Sequence, residues 1–162
     1  MATLPPVVQI KVRGTAQSHS HSDISAASHR LVVDEPLALG GTNLGPTPLQ
    51  TLMASWVGCV TIILGYIAQQ RGIQLQGLVI EAEATLNTAG VRLVQEVNVP
   101  ITAATLRLQT TSRPSTAERE ALLIDLQRFC PISKVLRAAG ASLNINWNEN
   151  SRADSYLQNS AD

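Results

Sequence analysis

Cys59 and Cys130 are the residues of this 162-residue chain whose chemistry reaches furthest. A cysteine reacts as its thiolate, so each position is judged by what stabilises negative charge there. Cys130 precedes Pro131 at the start of a predicted helix, whose unsatisfied N–H groups and positive dipole end lower a thiol pKa. Cys59 lies inside an apolar helical stretch, where desolvation favours the neutral thiol unless a cation arrives from elsewhere in the fold. Two cysteines are too few for a disulfide scaffold and lack the spacing of a zinc site, which leaves one redox pair open. Taken singly, each also reads as a small buried hydrophobe.

His19, His21 and Asp23 sit at i, i+2 and i+4, so a straight strand would point all three the same way, toward a metal completed from elsewhere. Ser18, Ser20 and Ser22 alternate with them and no further histidine cluster completes a site. A polar strand face at a hairpin is therefore the expectation, with no metal and no cofactor. His29 as the base of a Cys–His acyl-transfer pair rests on composition alone.

The elements that must position these residues follow from periodicity. Val8, Ile10 and Val12 alternate with Gln9, Lys11 and Arg13, the period-two pattern of a half-buried strand. Thr15 to His21 extends it, Ser22-Asp23 turns it, and Ile24 to Val33 returns antiparallel, ending at Asp34-Glu35-Pro36. Gly40 to Pro48, with three glycines and two prolines, is a loop. No charged residue lies between Glu35 and Arg71, and Thr51 to Ala68 is apolar or small throughout. One row at helical spacing is Leu49, Leu52, Trp56, Cys59, Ile63 and Tyr66; a second is Met53, Val57, Val60, Leu64 and Ile67. A helix apolar on all sides is a buried one. Its third row, Ala54, Gly58, Thr61, Gly65 and Ala68, is small enough for another helix to cross closely, including a symmetry mate. A single membrane span would leave the strands around it without a central element, so no membrane is expected.

Gly77 to Leu86 alternates again, Asn87 to Gly90 supplies turn chemistry, and Val91 to Thr111 continues in strand-like composition, interrupted at Pro100. The expected sheet is antiparallel. Ser115 and Glu118 form a capping box after Pro114, starting a helix with Leu122, Leu123, Leu126 and Phe129 inward. It ends at Cys130-Pro131, where a short helix begins with Ile132, Val135, Leu136 and Ala139 on one face and Gly140 as its stop. Leu143, Ile145 and Trp147 alternate in a last strand, and residues 149–162 read as a polar tail after one domain over 1–148.

Composition bounds the partners. Twelve basic against twelve acidic side chains give a formal net charge of zero, with no cluster of Lys and Arg. That removes the electrostatic footprint of nucleic-acid or anionic-membrane binding. Aromatic residues are 3% of the chain, so stacking platforms are scarce. Met1 to Gly14 holds no secretory signal, and the expected compartment is the cytoplasm.

Asp34-Glu35-Pro36, Gly40-Gly41, Gly45-Pro46-Thr47-Pro48, the buried helix with Gly58-Cys59, and Cys130-Pro131-Ile132 together resemble the OsmC/Ohr superfamily, most of all its poorly characterised OsmC-like branch. The resemblance implies an α+β fold with a long buried central helix in an intertwined homodimer. It also implies a reaction, in which Cys59 attacks the O–O bond of an organic hydroperoxide and Cys130 resolves the sulfenic acid as a disulfide that a dithiol then reduces. Leu52, Trp56 and Ile63 near the nucleophile would favour alkyl hydroperoxides over hydrogen peroxide.

The chain also departs from the family pattern. In the hydroperoxide reductases an Arg on the N-terminal strands stabilises the thiolate, held by a Glu directly after the proline that matches Pro48. That next residue here is Leu49, and the following one is the amide Gln50, so the partner of a guanidinium is missing. Arg13 and Arg30 both lie in the right part of the chain and, with Gln50, are the possible supporting residues. Two readings stand: a thiol-dependent peroxidase, or a dimer of the same fold that binds a small hydrophobic molecule without robust peroxidase activity.

Overall fold

The computed structural model describes residues 5–148, and the chain divides between Leu52 and Met53 into two compact units. The N-terminal unit carries an antiparallel sheet of β1 (Arg13–Ala16), β2 (His21–Ala26) and β3 (His29–Asp34), in that spatial order. The strands are shorter and more sharply turned than their alternation predicts. Ser18 Oγ accepts from the N–H groups of Ser20 and His21 at 3.2 and 3.1 Å, which closes a turn before β2. A second turn at Ala27-Ser28 follows, with Ala27 at φ 53°. The expected turn at Ser22-Asp23 is thus the middle of β2. Residues 8–12, expected as a strand, are in none of the described strands, and Ile10 is 88% exposed.

Asp34 ends β3 fully buried, and its carboxylate organises the loop that follows. It accepts from the N–H groups of Glu35, Thr42 and Leu44 at 2.8, 3.1 and 3.1 Å, and from the Thr42 hydroxyl. These donors hold its pKa down at about 2, with Thr42 the largest cause. The turn is so tight that a Cβ on Gly41 would lie 1.7 Å from the Glu35 carbonyl oxygen, and one on Gly45 would lie 2.3 Å from that of Val32. Glycine is required at both points by close backbone approach.

The loop delivers the chain to α1 (Pro48–Arg71, 24 residues). Thr47 N–H donates to Gln50 Oε1 at 2.9 Å and Gln50 N–H to Thr47 Oγ1 at 3.3 Å, a reciprocal capping box with proline at the first helical position. In the C-terminal unit α1 buries Trp56, Val60, Leu64, Ile67 and Ala68, while Ala54, Gly58, Thr61, Ile62, Gly65 and Tyr66 are exposed. The helix is therefore buried along one face of the single chain rather than all round. By length and composition alone it could cross a membrane. Trp56, Val60 and Leu64 on its buried face are as inaccessible as Leu106, Leu108, Leu122 and Leu126.

β4 (Val79–Leu86) and β5 (Ile101–Gln109) pair antiparallel, and β6 (Ser142–Trp147) pairs with β5 in parallel. The sheet is mixed where an antiparallel one was expected. A parallel neighbour needs a long crossover, which here is α2 (Thr116–Phe129) followed by α3 (Pro131–Ala138). Residues 87–100 form turns, so the strand-like composition from Val91 becomes β5 only after Pro100. The expected capping box on α2 is present, with Ser115 N–H donating to Glu118 Oε2 at 2.7 Å and Glu118 N–H to Ser115 Oγ at 3.3 Å. Residues 149–162, read as a tail, lie outside the described residues.

Candidate functional site

Cys59 sits near the middle of α1, and Cys130 is shared between the C-terminus of α2 and the N-terminus of α3. Pro131 makes this junction. It cannot donate a backbone hydrogen bond to continue α2, yet its fixed φ suits the first position of a new helix. Cys130 N–H still donates to the Leu126 carbonyl at 2.9 Å and its own carbonyl accepts from Lys134 N–H at 3.2 Å, so both helices hold the same residue.

The two thiols, distant in sequence, come to a sulfur–sulfur separation of 3.3 Å. Both are free cysteines, Cys130 fully buried and Cys59 half-buried. A disulfide requires about 2.0 Å between sulfurs, so closing the bond needs a shift of little more than an ångström. Of the two, only Cys59 is not fully buried.

Three influences set the Cys59 thiol, and they do not agree in sign. Burial is the largest and pushes its pKa up, because a thiolate loses hydration there. The neighbouring Cys130 thiol pushes in the same direction, and the backbone N–H of Ile132 opposes both by favouring the anion. The net result lies above the usual thiol value. By sequence position the α3 N-terminus is expected to help Cys130 and not Cys59. Ile132, in the first turn of α3, instead directs its amide at Cys59.

Trp56, expected to line a substrate pocket, is fully enclosed, and its indole N–H donates to Ser133 Oγ at 2.8 Å. Ser133 is itself inaccessible to solvent. Nothing in the sequence singled out Ser133, although its spacing of three from Cys130 placed it in the first turn of α3. Leu52 and Ile63, the other expected pocket residues, are half-buried on α1.

Gln50, considered as a support for a guanidinium, uses its side-chain carbonyl to cap α1 at Thr47. Leu49 beside it is partly exposed. Arg13 and Arg30 are exposed on β1 and β3, and both are register partners of Ser25 on β2, which puts the two guanidinium-bearing residues on one face of the N-terminal sheet.

The turn before β2 takes His19 off the strand, so the alternating trio does not form on a single straight strand. His21 and Asp23 pair at 3.2 Å, and Gln17 Nε2 donates to Asp23 Oδ2 at 2.8 Å. Among the described residues no three His, Cys, Asp or Glu side chains group as metal ligands. His29 is exposed at the start of β3 in the N-terminal unit.

A family model described as OsmC-like protein matches residues 41–146. Among solved structures the chain is similar to an OsmC-like protein from Mycoplasma pneumoniae, with a TM-score of 0.74, 15% identity, and coverage of 87% of this chain and 96% of that one. It is similar to a protein from Psychrobacter arcticus described as a putative osmotic stress induced and detoxification response protein, at TM-score 0.72 and 13% identity, covering 90% and 100% of the two chains. The organic hydroperoxide resistance protein OhrB of Bacillus subtilis matches at TM-score 0.63 and 19% identity, covering 87% and 98%. Among curated proteins no sequence matches.

Proposed function

Because the chain belongs to the OsmC-like protein family, we propose that it is a dithiol redox protein that reduces organic hydroperoxides through Cys59 and Cys130. The observation that carries the reading is the 3.3 Å approach of a half-buried thiol to a fully buried one. The Cys59 thiolate attacks the peroxide O–O bond, takes one oxygen as sulfenic acid, and releases the other with a proton as an alcohol. The Cys130 sulfur then attacks the Cys59 sulfur, a disulfide forms, and the oxygen departs as water. Two thiols are oxidised while one peroxide is reduced. An external dithiol restores the pair by exchange, with the half-buried Cys59 sulfur rather than the fully buried Cys130 as its point of entry. A cytoplasmic setting, which keeps thiols reduced, suits this cycle.

Cys59 needs a cation to act as a thiolate, since burial and Cys130 both raise its pKa and no basic side chain of the described residues is among the influences on it. Arg13 and Arg30 are the candidates for it. A homodimer is supported by the exposed apolar and small residues of α1, Ala54, Gly58, Ile62, Gly65 and Tyr66, and by the unpaired segment that contains Val8, Ile10 and Val12. Leu52 and Ile63 would border the approach of an alkyl chain to Cys59.

The raised Cys59 thiol and the absence of a carboxylate at Leu49 and Gln50 favour the second reading, a dimer that holds a small apolar molecule without robust peroxidase activity. Intact mass and peptide mapping of the reduced protein, after one equivalent of an organic hydroperoxide or of hydrogen peroxide, separate the two. Rapid loss of two hydrogens with a Cys59–Cys130 link, faster for the organic substrate, is the expected result. If both thiols stay reduced, the peroxidase reading is wrong and ligand binding takes its place.

A further inference from the structure

The hydrogen bond from Trp56 Nε1 to Ser133 Oγ, 2.8 Å long, joins two fully buried side chains. Trp56 precedes Cys59 by three residues on α1, and Ser133 follows Cys130 by three on α3. Each partner therefore lies about one helical turn from a cysteine on the same element. Ile132, whose amide favours the Cys59 thiolate, lies between Cys130 and Ser133.

We propose that Trp56 and Ser133 are positioning residues for the thiol pair: their hydrogen bond fixes the rotation of the α3 N-terminus against α1, and with it the Cys59–Cys130 spacing and the aim of the Ile132 amide. The proposal rests on the reading of these cysteines as a working redox pair. Apolar packing alone does not fix such a rotation, because burial is not directional. An indole N–H can only donate, and a buried donor without an acceptor carries a desolvation penalty. Turning α3 far enough to separate the sulfurs would leave Trp56 Nε1 in that condition. The bond thereby converts a loose helix contact into a defined one, with the half-buried sulfur held where its partner can reach it.

The test measures the Cys59–Cys130 disulfide equilibrium of the full chain in reduced and oxidised glutathione, where two protein thiols are oxidised as one glutathione disulfide yields two glutathiones. Ser133→Ala is expected to lower the disulfide constant by about tenfold or more, since small displacements of reacting groups are strongly penalised. It is also expected to slow Cys59 alkylation at fixed pH, because the Ile132 amide loses its aim. Ser133→Thr keeps the hydroxyl and should retain both properties. Trp56→Phe, which removes the donor, should match Ser133→Ala in direction and serves if that variant does not fold. A wild-type disulfide constant and alkylation profile in folded Ser133→Ala or Trp56→Phe would overturn the proposal. So would equal losses in Ser133→Ala and Ser133→Thr at unchanged unfolding midpoints. No peroxide enters this experiment, so a pair that ignores hydroperoxides yet shows the Ser133 effect refutes the peroxidase reading alone.

Discussion

The backbone N–H of Ile132 favours the thiolate of Cys59, although Ile132 belongs to the helix that Cys130 begins. The α3 N-terminus therefore acts on Cys59 as well as on the Cys130 that begins it. That help is smaller than the penalty of burial, and the Cys59 pKa is raised.

Alkylation of Cys59 in the reduced chain, in the absence of an activating cation, is expected to keep accelerating above the ordinary thiol pKa of about 8.5. The folded-state pKa exceeds the unfolded one, so the stability it contributes is present below the unfolded value and lost as pH rises through the folded value. Urea midpoints should fall with rising pH in that range, and Cys59→Ser should flatten the decline. Full alkylation well below pH 8 would instead show a cation at the sulfur, and would identify Arg13 or Arg30 as the residues to substitute next.

Asp34 gives the opposite pH dependence. Its pKa of about 2 lies below the ordinary carboxylate value, so its contribution is present at neutral pH and is lost as pH falls from about 4 toward 2. Asp34→Asn cannot accept the same donors with both oxygens. It is expected to lower the melting temperature at pH 7 and to remove much of the acid sensitivity in this window, as read from thermal unfolding at pH 2 to 5. An unchanged melting temperature would mean that the loop is held by something other than the buried carboxylate.

Gln50 caps α1 through Thr47, and that use can be separated from any catalytic one. Gln50→Ala should destabilise the chain by about 1 kcal/mol, the usual effect of losing a capping contact. Gln50→Glu preserves the capping geometry and adds negative charge to a first turn that has none, with an expected gain of about 0.3–1 kcal/mol at low salt. Chemical denaturation reads both changes. A large loss of peroxide consumption in Gln50→Ala at unchanged stability would assign the residue to the reaction instead.

Among the described residues, a Cβ at Gly58 or Gly65 would have no neighbour within 4 Å. Gly65→Ala should therefore stabilise an isolated chain by about 1 kcal/mol through helix propensity. Gly58→Leu and Gly65→Leu should fold yet shift the protein toward monomer, as sedimentation would show, if this row packs on a second copy. A dimer that survives both substitutions would place the subunit interface elsewhere.

The parts legible in the sequence are those in which local chemistry decides the structure. Ser115 and Glu118 start α2, Pro131 ends it and starts α3, and the alternation of Leu143, Ile145 and Trp147 becomes β6. The errors arise where a pattern needs a partner it does not name. Val8, Ile10 and Val12 alternate as a strand does, but no described strand of the chain pairs with them. Ala27 takes a positive φ without the glycine or asparagine that would signal it, and the parallel placement of β6 depends on the crossover rather than on its own residues. At the site, the two cysteines could be picked out by residue type and by the proline after Cys130. Ser133 could not, because a serine in a first helical turn becomes a clamp only when a buried indole on another helix faces it. Gln50 stands where the family pattern invites comparison with a carboxylate, whereas its spacing from Thr47 is that of a capping box.

The parallel pairing of β5 and β6 has a consequence for the order of assembly. Loop-closure entropy delays contacts that join distant parts of a chain, and β6 reaches its place only after the intervening helices exist. During synthesis Cys59 emerges well ahead of Cys130, and the clamp residue Ser133 later still. The nascent polypeptide thus carries an isolated thiol on an unfinished scaffold, and its reactivity toward oxidants at that stage is that of an ordinary cysteine. A Cys59–Cys130 bond therefore has to wait until Cys130, at the junction of α2 and α3, has been made.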